Sequence, residues 1–148
     1  MEDNINLFYP AVLTNLITIL LFMNSKIHDR ILLFIMIIGQ IILISGESNK
    51  ESNKESNKNL KKIEISHILF TITIVIGSCY FYEKQNLYFI GLLILLRFIT
   101  RYIYNDCLFN LSNQNYEFEF EDHFDFINWD IVFMIALITI FIRLLKNK

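Results

Sequence analysis

The apolar residues of this chain are gathered into five runs that carry few charges, and few folds accept that pattern. The runs cover residues 7–23, 31–45, 65–82, 87–104 and 131–145. A soluble domain spreads its apolar residues periodically, one stripe or face at a time, so that polar side chains can form a shell. Here 54% of 148 residues are hydrophobic, too many for a soluble shell around a core of this size. The pattern predicts an all-α membrane protein, a bundle of four or five short transmembrane helices forming a single domain.

The first run, LFYPAVLTNLITILLFM, differs from a cleaved signal peptide. Glu2 and Asp3 precede it where a basic segment would stand, and no small-residue cleavage pattern follows. It reads as a retained helix with Pro10 in its first turn, where a missing N–H is tolerated. The runs are short. A spanning helix needs about 20 apolar residues for a ~30 Å hydrocarbon core, and these contain 15 to 18. Runs 7–23, 65–82 and 87–104 are the best spans, while 31–45 and 131–145 are the shortest. A thin internal membrane, such as that of the endoplasmic reticulum, suits such lengths.

Between the second and third runs lies GESNKESNKESNKNLKK, with three tandem copies of Glu-Ser-Asn-Lys over residues 47–58. It is polar and charge-balanced, with nothing to bury, so residues 46–62 are expected to form a disordered repeat loop. Glu and Lys at this spacing can also support a frayed helical turn. The EKQN link after the third run is short enough to require a tight antiparallel hairpin. Residues 105–130 form a second polar loop, rich in acids and aromatics.

The formal charge of −2 leaves no electrostatic footprint for nucleic acid, and no nucleic-acid partner is expected. Cys79 and Cys107 cannot make a disulfide framework and are read as free thiols. There are 27 isoleucines and 15 asparagines against two alanines and one proline, a bias towards AT-rich codons. In this respect the chain resembles the uncharacterised multi-pass membrane proteins of large DNA viruses of amoebae, the mimivirus-like group. The resemblance spans the chain but is compositional, carried by no motif, and AT-rich protists and bacteria share it. It implies a virion inner membrane or a host-derived membrane.

Basic residues do not fix the orientation. With the N-terminus outside, six lie inside (Lys26, Arg30, Lys84, Arg143, Lys146, Lys148), and six, five repeat-loop lysines and Arg101, lie outside. Lys26 and Arg30 after the first run favour a cytosolic C-terminal end for that helix. The chain's N-x-S/T sequon, at Asn110, then lies on the luminal side, and a glycan there would exclude the reverse topology.

Polar groups inside apolar runs are costly in lipid and turn towards other helices or a cavity. Arg97 is the sharpest case, with Arg101 one turn later and Thr100 and Tyr104 on the same side. One reading is a face that binds an anion or a lipid phosphate, or lines a conduction path. The cheaper reading is that both arginines snorkel to nearby headgroups. In the first run Ala11, Thr14, Asn15 and Thr18 share a side. In the third, His67, Thr71, Ile74 and Ser78 do so near Gly77, and the second has Gly39 and Gln40. These read as inward seams of the bundle, with His67 an interfacial histidine.

In YEFEFEDHFDFINWD the aromatics Tyr116, Phe118, Phe120, Phe124 and Phe126 alternate with Glu117, Glu119, Glu121, His123 and Asp125. An extended segment would place the aromatics on one face as an interfacial anchor and the acids on the other. That acidic face suits a partner surface or a divalent cation, but no EF-hand or zinc spacing is present, so no metal site is assigned. No cofactor motif occurs and no cofactor is expected. The leading expectation is a non-enzymatic structural or interaction protein, with the bilayer, another copy or other membrane proteins as partners. A small oligomeric transporter or channel with an arginine-lined path is the alternative. A lipid-modifying enzyme using His123 and its neighbouring acids is the weaker one.

Overall fold

The computed structural model describes residues 7–48, 56–104 and 127–146. The described residues form five helices and no strand: α1 (Phe8–Asn24), α2 (Ile27–Ser48), α3 (Ser56–Tyr80), α4 (Lys84–Tyr104) and α5 (Trp129–Lys146). The chain is all-helical, as the apolar runs require. Short links after α1 and α3 make those neighbours antiparallel. α2 packs between α1 and α3, and α3 also packs against both α4 and α5, which touch one another.

Helix ends and hydroxyls are satisfied locally where the sequence permits. Pro10 stands in the first turn of α1, and its carbonyl accepts the Thr14 hydroxyl at 2.7 Å. Thr18 donates in turn to the Thr14 carbonyl at 2.7 Å. α1 ends where Ser25 turns extended. α2 and α3 approach closely at Gly46, where an added Cβ would stand 2.9 Å from Ile63 Cγ1 and 3.3 Å from the Asn59 carbonyl oxygen. A larger side chain there would push the two helices apart.

The ranking of the spans changes. By length and composition, three helices are able to cross a membrane: α2, Asn59–Tyr80 within α3, and α4. The second run, expected over 31–45, is extended at both ends into a 22-residue helix with the highest mean hydropathy of the three. Its extra residues include Asp29 and Glu47, both buried, which hydropathy alone excludes. α1, expected among the best spans, is shorter at 17 residues, and α5 contains Asp130, Arg143 and Lys146. The expected repeat loop over 46–62 is also shorter, since α2 reaches Ser48 and α3 begins at Ser56. The lysine-rich end of that segment continues as helix because Asn59, Ile63 and Glu64 pack against the bundle.

The core joins Leu33 and Met36 of α2, Ile74 of α3, Ile90 and Ile94 of α4 and Ala136 of α5. Buried beside them are Thr18, Ser66, Thr73 and Asn86, none with accessible surface. The outside is the reverse: Leu20, Leu92, Ile138 and Phe141 are exposed, with many other large apolar side chains. An apolar exterior of this extent around a partly polar interior would aggregate in water, and it suits lipid as the surrounding solvent. The three long apolar helices are compatible with a membrane protein.

Candidate functional site

Arg97 projects from α4 about 10 Å before that helix ends. Beside it begins α5, whose first turn is capped by Asn128: its Oδ1 accepts from the backbone nitrogens of Asp130 (3.1 Å) and Ile131 (3.3 Å). An acid in a helix's first turn is favoured by the helix dipole, and Asp130 is turned towards α4. Its Oδ1 lies 2.8 Å from Arg97 Nη1 and 3.1 Å from Arg101 Nη1. One turn further along α5, the Phe133 ring lies beneath the Arg97 guanidinium, 4.2 Å from its centroid, a cation–π distance. The Arg97 side chain is 16% exposed and that of Arg101 46%. Two guanidiniums share one carboxylate, which leaves this cluster one net positive charge.

The cluster borders a cavity of about 180 Å³. α3 forms its floor through His67, Phe70, Thr71 and Ile74. Leu93, Leu96, Arg97 and Thr100 of α4 line one wall, and Pro10, Ala11 and Thr14 of α1 line the other. Gln40 of α2 also lines it, donating through Nε2 to Thr18 Oγ1 at 3.1 Å. Thr18 has already given its proton to the Thr14 carbonyl, so it can only accept, which fixes the orientation of the carboxamide. Gln40 Oε1 is left buried without a hydrogen-bond partner.

A second polar cluster closes the opposite end of the bundle. Asp29, in the first turn of α2 and 1% exposed, accepts from the backbone nitrogens of Tyr82 (2.9 Å) and Glu83 (3.0 Å). Asn86 Nδ2 donates to the same carboxylate at 2.7 Å and also contacts Ser25 Oγ at 2.9 Å. From the other side, Arg143 of α5 donates to the carbonyls of Ser78 (2.9 Å) and Phe81 (2.5 Å). The α3–α4 turn is thus held by an acid on its N–H groups and by a guanidinium on its carbonyls.

Of the residues singled out by the sequence, Arg97 and Arg101 are brought together on a shared acid of α5. Ala11, Asn15, Thr18, Thr71, Ile74 and Ser78 are buried along the expected seams, as are Gly39 and Gln40. Cys79 is a free thiol at an exposed position. Asn110, Glu117, Glu119, Glu121, His123 and Asp125 lie outside the described residues, as does Cys107. Among the described residues no three His, Cys, Asp or Glu converge as metal ligands.

Sequence reasoning missed Asp29 and Asp130, which it placed in a link and a loop, and the contacts of Arg143, which it counted only as a basic residue bearing on orientation. The available signal was helical spacing: Asp130 falls three residues before Phe133 and six before Ala136, on the flank of the buried face of α5. Comparison with protein-family models, with curated proteins and with solved structures finds no match.

Proposed function

We propose that this chain is a non-enzymatic multi-pass membrane protein with a structural or interaction role in an internal membrane, of viral or host-derived origin. The observation that supports this reading is the use made of the interior charges. Asp29, Asp130, Arg97 and Arg143 are each bound to another part of the chain. Groups engaged in this way fix helices against one another and have little freedom to move protons or attack a substrate. Acid–base chemistry requires a group that can change protonation within reach of a bound reactant.

The transporter reading draws on one observation, the place of Arg97 on the cavity wall. It is the weaker reading because the guanidinium is already paired with Asp130 and the other walls are largely apolar, offering a moving ion few partners. Reconstituted flux abolished by Arg97→Leu would favour it.

The partner surface in this proposal is the acidic and aromatic segment over residues 116–125. Cross-linking in cells, with and without that segment, tests it. Both forms are expected in the alkali-resistant membrane fraction, with the cross-linked partner lost from the deleted form. An unchanged set of partners would overturn the interaction role. Fractionation of the same cells by organelle tests the internal location.

A further inference from the structure

We infer that the cleft between α1 and α4 is a binding site for an anionic phospholipid, with one acyl chain in the cleft and the phosphate on the Arg97–Arg101 edge. The inference rests on the membrane reading above and deepens it.

Three features carry it. The first is shape. α1 packs on α2, and α4 packs on α3 and α5, so the cavity lies where α1 and α4 face each other across α3. Its rim includes Pro10 and Leu96, both exposed on the surface that would meet lipid. An opening of this kind faces the bilayer sideways. The second is size and chemistry. An apolar cavity of ~150 Å³ takes a benzene-sized guest, so about 180 Å³ lined by Ala11, Phe70, Ile74, Leu93 and Leu96 fits a segment of acyl chain and not a whole lipid. The rest of the chain would remain among its neighbours in the bilayer.

The third is charge. Asp130 neutralises one of two guanidiniums and leaves a net positive charge beside Arg97, the member of this cluster's three charged groups that lines the cavity. Arg101 is the more exposed of the pair and sits one turn closer to the helix end, where a headgroup lies. A guanidinium offers planar paired donors that match phosphate oxygens. A neutral or zwitterionic lipid satisfies the cleft but leaves that charge uncompensated. By contrast, the groove between α4 and α5, lined by Leu92, Leu95, Ile138 and Phe141, has no charged side chain in its lining and selects no headgroup.

The chain's one tryptophan, Trp129, adjoins Asp130 and reports on the site. The test is quenching of its fluorescence in the full chain, reconstituted into vesicles, by phosphatidic acid or phosphatidylcholine brominated on the acyl chain. Phosphatidic acid is expected to quench at about fivefold lower mole fraction, the factor that one basic charge near a membrane surface is worth. Arg101→Gln removes the net charge and leaves the Arg97–Asp130 pair intact, so it is expected to abolish the preference while general quenching persists. Leu96→Phe, which fills the cleft from its lipid-facing rim, is expected to do the same.

Equal quenching by the two lipids would overturn the inference, as would a preference that survives Arg101→Gln or Leu96→Phe. Loss of the preference in a low concentration of inorganic phosphate, but not in chloride of the same ionic strength, would reassign the edge to a soluble anion and also overturn it. Quenching by neither lipid would refute the membrane reading itself, and so is distinguishable from failure of the site alone.

Discussion

The carboxylate of Asp29 lies 2.9 Å from the backbone nitrogen of Tyr82, tying the first turn of α2 to a turn 53 residues further along the chain. With Glu83 N–H and Asn86 as further donors, it caps the turn that leads into α4. Asp29→Ala takes the acceptor from the part-buried N–H groups of Tyr82 and Glu83, while Asn86 keeps Ser25 as a partner, and is expected to cost roughly 2–4 kcal/mol, since hydrogen bonds to a charged group are worth about 1.5–3 kcal/mol each. Asp29→Asn keeps one acceptor and should lose about half as much. Thermal unfolding of the purified chain in detergent checks the order of the two.

Arg143 holds the same turn through carbonyls. Replacement by leucine removes both charge-assisted bonds and is expected to destabilise the chain by about 2 kcal/mol. Lysine offers a point charge where arginine offers a fork, so Arg143→Lys should restore only part of the loss. If lysine and arginine gave equal stability in the same unfolding measurement, the forked contact to Ser78 and Phe81 would have no weight.

Helix positions were legible in the sequence, because long apolar runs leave a hydropathy signal that survives without any knowledge of neighbours. The seams of α1 and α3 were legible for the same reason: Ala11, Asn15 and Thr18 recur at helical spacing. The ends of α2 were not. Asp29 and Glu47 read as polar link residues, and for Asp29 only the partners supplied by the distant α3–α4 turn and Asn86 keep it inside the fold. The same holds for the site. Arg97 was conspicuous because it interrupts an apolar run, whereas Asp130, 33 residues away, looks like the end of a loop until α5 is seen to start beside α4. Tertiary pairing over such separations leaves no local pattern to read.

Unequal burial separates the two arginines on Asp130. A double-mutant cycle with Asp130→Ala is expected to give a coupling of about 1–2 kcal/mol for Arg97, which is largely buried and stacked on Phe133. For the more exposed Arg101 it should be under about 0.5 kcal/mol, as solvated pairs usually are. Equal couplings would mean that the two pairs share one environment.

Gly77 lies against the ring of Phe81, which has no accessible surface; an added Cβ would stand 2.6 Å from its Cε2. Alanine gains about 1 kcal/mol in helix propensity, but displacing a buried ring by overpacking costs typically 1–3 kcal/mol. Gly77→Ala is therefore expected to be net destabilising by about 1 kcal/mol. Combining it with Phe81→Leu should cost less than the two separate losses together, measured again by unfolding in detergent.

Lipid, not water, is expected to cover the apolar exterior, and spin-label accessibility measures that directly. Labels would be placed singly at Leu92 and Ile138, which are exposed, and at Ile94 and Ala136, which are buried, in the chain reconstituted into vesicles. The expected result is that labels at Leu92 and Ile138 relax strongly with dissolved oxygen and weakly with a water-soluble nickel chelate, while those at Ile94 and Ala136 respond weakly to both. Strong relaxation by the nickel chelate at Leu92 and Ile138 would place that surface in water and contradict the account.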